Sequence, residues 1–221
     1  MCGRYTFFSP RESVTRLFDT PVPLPIEARY NIAPTQFVPV IRLDPHGQRQ
    51  LAMLHWGLVP SWAKDKAIGN RMINARAETL AEKPSFKKAF AQRRCLVLAS
   101  GFYEWRKQDG AKRPYFISRK DSEPIAMAGL WETWRHEAEP LESCTIITTE
   151  ANEFMRALHH RMPAMLAPEQ CGRWLDSQNL SMAEAADLLR PLEEDGLQAW
   201  PVSTRVNNPR NEGAQLLEPV A

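Results

Sequence analysis

The sequence predicts an α+β fold: one domain over residues 1–221, with a curved, largely antiparallel sheet or barrel-like core and peripheral helices. Three observations lead there. Short segments that are apolar, or alternate with a period of two, recur along the chain, while helical periodicity is confined to a few stretches between them. Strands and helices do not alternate as a doubly wound sheet requires, and no glycine-rich phosphate loop follows any strand. The 18 prolines are spread throughout, with no Pro/Gly/Ser-rich linker and no internal repeat, so no boundary is placed inside the chain.

In chain order, Ser9-Pro10-Arg11-Glu12 reads as a capping box with proline in the first turn, opening a helix whose apolar face is Val14, Leu17 and Phe18. Strands are predicted at Phe37–Leu43 and Leu51–Trp56. Phe86, Ala89 and Phe90 then recur at helical spacing. Four further strands are predicted at Cys95–Ala99, Tyr115–Ser118, Ile125–Trp131 and Cys144–Thr148. Ala151, Phe154, Met155 and Leu158 mark another helix, Cys171 shares a helical stripe with Trp174 and Leu175, and Ser181-Met182-Ala183-Glu184 repeats the capping signature.

Composition narrows the function classes. With 43% hydrophobic and 24% charged residues the chain can bury a sizeable core. No apolar run approaches the length of about 18 residues that a membrane span needs, and Met1 to Val14 lacks the apolar stretch of a signal peptide. The expectation is a cytoplasmic monomer, nucleoid-associated if bacterial, without a membrane partner. The net charge of +2 hides an asymmetry: residues 1–113 carry 19 Lys+Arg against 9 Asp+Glu, and residues 114–221 carry 9 against 17. A basic first half, gathered on one face, attracts phosphates; scattered and solvated, it attracts nothing.

Four cysteines, Cys2, Cys95, Cys144 and Cys171, show neither a C-x-x-C pair nor a histidine at zinc spacing, so no metal, no cofactor and no disulfide framework is expected. Cys95 and Cys144 sit in apolar runs and Cys171 on an apolar stripe, where a thiol behaves as a small hydrophobe. Cys2 has no such explanation. Met1 precedes a small residue, which generally permits its removal and leaves Cys2 with a free α-amine beside its thiol. That amine, with a reference pKa of about 7.7 to 8.0 against about 10.4 for lysine, is partly uncharged near neutrality and can attack an aldehyde. The thiol of the same residue can then add to the imine and close a thiazolidine ring, the two nucleophiles acting at high effective molarity. Two other readings compete. Amidotransferases that hydrolyse glutamine also begin Met-Cys-Gly, but complete their oxyanion hole with an Asn-Gly pair, which this chain lacks. A non-covalent reader of modified or single-stranded DNA would leave Cys2 incidental.

Further along lie Arg29-Tyr30-Asn31-Ile32-Ala33-Pro34, Trp56-Gly57-Leu58-Val59-Pro60-Ser61-Trp62, Ile73-Asn74-Ala75-Arg76-Ala77-Glu78-Thr79, Gly101-Phe102-Tyr103-Glu104-Trp105 and His159-His160-Arg161-Met162-Pro163. With Cys2-Gly3-Arg4 in front and Pro201-Val202-Ser203 to Val206-Asn207-Asn208-Pro209 behind, they closely resemble the SOS-response-associated peptidase family, in the family order over nearly the whole chain. Members of that family are abasic-site processing proteins. The resemblance implies single-stranded DNA containing abasic sites as the partner, crosslinking through a Cys2 thiazolidine, and lyase and autoproteolytic side activities.

Carried over by residue, the resemblance implies Cys2 as nucleophile, Asn74 as the amide that positions its amine, Glu104 as proton shuttle and His159 as the group that opens the closed sugar. Glu104 also reads as a salt-bridged glutamate between aromatics, and His160 inherits the histidine role if the register differs. Arg4, Arg76 and Arg161 are implied to grip phosphates. Asn31, Pro34 and Trp62 are implied to meet bases, Trp62 being equally readable as core. Thr148 either hydrogen-bonds near the site or caps the following helix. Glu78 reads as an arginine's partner, Trp105 as packing behind Glu104, and Ser203 and Asn207 as loop-fixing residues.

Overall fold

Apolar runs that cannot be satisfied alone pair with one another, and the pairing closes. A computed structural model describes residues 2–23, 26–108, 110–191 and 196–220. Its strands are β1 (Tyr5–Phe7), β2 (Arg29–Ile32), β3 (Phe37–Leu43), β4 (Arg49–Trp56), β5 (Asn74–Arg76), β6 (Arg94–Ala99), β7 (Gly101–Gln108), β8 (Ala111–Arg119), β9 (Ile125–Trp134), β10 (Leu141–Glu150), β11 (Arg161–Pro163), β12 (Met165–Leu166) and β13 (Leu197–Pro201). The helices are α1 (Arg11–Phe18), α2 (Pro84–Gln92), α3 (Glu153–Arg156), α4 (Pro168–Leu175) and α5 (Met182–Asp187).

One sheet runs β10-β4-β3-β6-β9 and returns to β10, because Ser143 and Cys144 pair in parallel with His55 and Trp56 while Leu141 to Ile146 pair antiparallel with Trp134 to Gly129. This is the barrel-like core, and its strands are five of the six predicted ones. Val38, Val40, Leu54, Val97, Met127 and Ile146, which the registers place on one face of this sheet, are fully buried. A second sheet, β13-β8-β7-β1-β2, is antiparallel throughout and packs into the same core through Tyr5, Phe7, Phe102 and Ile117.

Beyond Ile146, β9 and β10 part, and the chain from β11 to β12 fills the gap. Thr148 to Glu150 pair with Pro163 to Arg161, Met165 and Leu166 pair with β9, and between them Ala164 donates to Ile147 O and accepts from Ala128 N. On the other edge of β10, β5 takes over from β4 in parallel, Ile146 to Thr148 opposite Asn74 to Arg76.

The helices follow their apolar stripes with two corrections. α1 begins at Arg11 with Pro10 in the cap position, and no side-chain cap forms. The Ser9 hydroxyl instead meets the Ser100 hydroxyl at 2.7 Å, so the predicted first capping box is absent. The helix expected over Ala151 to Leu158 is the single turn α3, capped by Asn152 Oδ1, which accepts from Met155 N at 2.9 Å. The second capping box does form: Ser181 Oγ accepts from Glu184 N and Glu184 Oε2 from Ser181 N. α2 buries Ala89 and Phe90, and α4 buries Cys171, Trp174 and Leu175. Phe90 and Leu175 contribute about 1.5–3 kcal/mol each through burial.

Gly57 decides where β5 lies. Its φ of +132° strains any other residue, and a Cβ there would stand 2.7 Å from Gly69 O. The close approach lets Leu58 N donate to Met72 O and Trp56 Nε1 to Ile73 O, which delivers Asn74 to the edge of β10. Gly57→Ala is expected to lower stability by roughly 2–4 kcal/mol through backbone strain and overpacking. Urea denaturation tests this, and an unchanged midpoint would contradict it.

Candidate active site

Three elements converge on Cys2: β5, β7 and the segment between α3 and β11. The residue precedes β1 and is fully buried. Asn74, at the first position of β5, donates from Nδ2 to Cys2 O at 2.8 Å; it holds the carbonyl of Cys2, and its buried Oδ1 has no hydrogen-bond partner among the described residues. Glu104 comes from β7, whose residues Phe102 and Glu104 face the main core while Tyr103 and Trp105 pack in a separate cluster with Val202 and Val206. Glu104 is 2% exposed, and its carboxylate is close enough to act electrostatically on both Cys2 and His159. His159 follows α3, just before β11.

These surroundings set the protonation states. Burial, reinforced by the Glu104 charge, pushes the Cys2 thiol well above its ordinary range, so the sulfur carries its proton. Burial lowers His159 below the usual imidazole value, although the Glu104 charge opposes this. His159 Nδ1 lies 3.0 Å from Arg161 N, from which it accepts when unprotonated, and 3.2 Å from Arg161 O, to which it donates when protonated; the first arrangement puts the proton of the neutral ring on Nε2. His160 stacks on it, with centroids 4.3 Å apart, but is exposed.

The seven residues expected at DNA divide. Arg76 is exposed, Trp62 is 56% exposed rather than part of the core, and Pro34 is half-buried in the turn after β2. Arg161 is buried and engaged: Nη1 and Nη2 donate to the two carboxylate oxygens of Glu78 at 2.6 and 2.9 Å, and Nη2 donates to Thr148 O at 2.5 Å. The arginine partner expected for Glu78 is therefore Arg161. Thr148 is buried inside β10 with its hydroxyl toward Ala75 O, and Asn152 takes the capping role also considered for it.

Asn31 also turns inward. Its Nδ2 donates to the carbonyls of Val206, Asn208 and Asn211, and its Oδ1 accepts from Arg4 Nη1 at 2.8 Å. Arg4 Nη1 reaches Val206 O as well, at 2.7 Å, so this pair straps residues 206–211 across the start of the chain. Trp105 Nε1 donates to Asn207 Oδ1, and Ser203 Oγ accepts from Arg205 N, so Asn207 and Ser203 fix their loop; Trp105, expected to pack behind Glu104, packs instead with Val202 and Val206 in the separate cluster. Glu212, absent from the sequence reading, accepts from the backbone N–H groups of Tyr30 and Asn31. It lies just past the last motif, in a polar stretch where nothing local marks it. Among the described residues no group of three or more His, Cys, Asp or Glu is placed to hold a metal ion.

Residues 1–209 match the family described as SOS response associated peptidase. The chain is 44% identical to abasic site processing protein YoaM of Bacillus subtilis, covering 99% of this chain and 98% of that protein. It is 34% identical to abasic site processing protein YedK of Escherichia coli, with 100% of each covered, and 36% identical to abasic site processing protein HMCES of Gallus gallus, covering 86% of this chain and 66% of that one. The crystal structure of a Bacteroides thetaiotaomicron protein superposes with a TM-score of 0.89 at 27% identity over 100% of each chain.

The Arg161–Glu78 pair has a pH signature. Burial acts to raise the Glu78 carboxyl, but the hydrogen bonds and charge of Arg161 outweigh it and hold the group below its ordinary 4.5. The pair's stabilisation is therefore complete above that value and is lost as pH falls through the lowered one. Glu78→Gln is expected to cost about 1–2 kcal/mol at pH 7, a discounted figure because Glu78 is half exposed. The difference from the unaltered protein should shrink in acid below pH 4.5; parallel stability curves from pH 7 to 3 would refute the assignment.

Proposed function

Because the chain belongs to the SOS response associated peptidase family, we propose that it processes abasic sites in single-stranded DNA by capturing them covalently on Cys2. The observation that carries this reading is the convergence on Cys2 of the Asn74 amide, the Glu104 carboxylate and, through Glu104, the His159 imidazole.

Removal of Met1, which lies outside the described residues, turns the Cys2 amide nitrogen into an α-amine. Asn74 holds the Cys2 carbonyl through Nδ2, and its buried Oδ1 is an acceptor suited to that new amine. His159, in its imidazolium form, donates from Nε2 to the ring oxygen of the abasic deoxyribose as the C1′–O4′ bond breaks, and the proton of the C1′ hydroxyl returns to the imidazole, so that the sugar opens to the C1′ aldehyde with no net change in the ring's protonation. The amine lone pair attacks C1′. Glu104 relays a proton from the nitrogen to the hydroxyl of the carbinolamine, and water leaves to give the imine. The thiol then adds to C1′, its proton passing to the nitrogen, so that one water is released per thiazolidine formed.

Burial explains the order of the steps. A thiol kept protonated by its surroundings is a poor first nucleophile, whereas the amine titrates near neutrality. The sulfur acts once the imine has placed an electrophilic carbon beside it. Ring closure protects the aldehyde from strand cleavage. At the imine stage proton loss from C2′ permits β-elimination, so weak lyase activity accompanies slow closure.

The test is a denaturing gel with an abasic single-stranded oligonucleotide, read together with the intact mass of the product. Cys2→Ala is expected to abolish the heat-stable protein-DNA band while non-covalent binding persists. A non-covalent reader would give no band from either protein, and full crosslinking by protein that retains Met1 would overturn the mechanism. Single-strand affinity is also expected to fall with salt at a log-log slope of about −0.7 per neutralised phosphate; a flat response in a titration from low to high salt would remove the electrostatic contribution.

A further inference from the structure

Beside the candidate active site lies a pocket of about 410 Å³, lined by Arg76, Glu150, Ala151, Arg156, His160 and Arg161. Its floor is the β5-β10-β11 junction, where Thr148 pairs with Arg76 and Glu150 with Arg161. Its rim includes Arg156 at the end of α3. The pocket therefore touches the site on both sides: Arg76 is two residues along β5 from Asn74, and His160 adjoins His159 and stacks on it.

The cations here are not equivalent. Arg161 is a wall of the pocket, its charge matched by Glu78 and its Nη2 held by Thr148 O. Arg76 and Arg156 are exposed, and among the described residues neither forms an ion pair. Arg156 Nε donates to Ala151 O at 3.2 Å, which anchors the side chain by its inner nitrogen and leaves both terminal nitrogens for a ligand. Two exposed carboxylates lie near them, Glu150 in the pocket lining and Glu78, which is paired with Arg161 and also feels the charge of Arg76. Two exposed arginines outside any ion pair among the described residues, one of them braced, with an exposed imidazole between them and the site, fit a monoanion with several acceptor oxygens.

We propose that Arg156 and His160, acting with Arg76, hold the phosphodiester next to the abasic sugar, so that the strand passes over the stacked His159–His160 pair into the site. This rests on the reading of the site as one that captures abasic DNA. In this arrangement Arg156 and His160 are binding residues that fix the reactive sugar against Cys2, and Arg161 acts indirectly by holding the pocket wall.

The experiment measures crosslinking rate against concentration of abasic oligonucleotide for the unaltered protein and for Arg156→Gln, Arg156→Lys and His160→Gln. Arg156→Gln and His160→Gln are expected to raise the half-saturating concentration about tenfold and threefold, more than either slows the saturated reaction, and Arg156→Lys to recover most of the loss. Replacing one flanking phosphodiester with an uncharged methylphosphonate should reproduce the Arg156→Gln defect in the unaltered protein and add little to it in the variant. Unchanged half-saturation in both Gln variants, or a methylphosphonate penalty that adds fully to that of Arg156→Gln at either flanking linkage, would overturn the proposal. If the unaltered protein forms no adduct, the capture reading fails separately, and fluorescence anisotropy with undamaged single strands still reads the subsite through the same variants and linkages.

Discussion

A single strand, β10, serves two neighbours on each edge, and the placement of the candidate site depends on that sharing. Its first half closes the barrel between β4 and β9; its second half is handed to β5 and β11. Hydrogen-bond ladders are obligatory for a buried strand, since an unpaired backbone group there is costly, so both short strands are held in register by need. Asn74 and Arg76 ride on one of them and Arg161 on the other, with His159 just before it. Three-residue strands could not hold such positions alone. They inherit rigidity from a ten-residue strand whose interior is closed off from water.

Much of the barrel was legible in the sequence because its strands are buried apolar runs: Phe37–Leu43 is β3 as predicted, and the other five predicted strands lie within β4, β6, β8, β9 and β10. What escaped was short or mixed. β5, β11 and β12 have two or three residues each, too few for any period, and β7 alternates core-facing Phe102 and Glu104 with Tyr103 and Trp105 that pack in another cluster, so it reads as a motif before it reads as a strand. The Ser9 capping box failed through a tertiary contact with Ser100, 91 residues away. In the site, residue chemistry alone pointed to Cys2, and the family resemblance to Asn74, Glu104 and His159, which the fold brings near it. The inward turn of Asn31 was hidden because its acceptors lie 175 to 180 positions along the chain.

The strap formed by Arg4, Asn31 and residues 206–211 shows how polar groups can organise a region that has little apolar surface to bury. A single buried amide satisfies three backbone carbonyls, and Glu212 covers two N–H groups of β2. β2 is the edge strand of its sheet, and an uncovered edge invites pairing with another chain. The same carboxylate therefore fastens the late segment to the first strands and blunts an exposed ladder. Arg4, two residues from Cys2, links this framework to the candidate nucleophile.

All four thiols are buried and unpaired, and burial drives each above its ordinary titration range. Peroxides and alkylating agents react with thiolates that water can reach, so Cys95, Cys144 and Cys171 present them with almost no target. Those reagents also strip bases from DNA. Burial thus leaves the interior without a sulfur that a solvent-borne oxidant meets while the fold is closed.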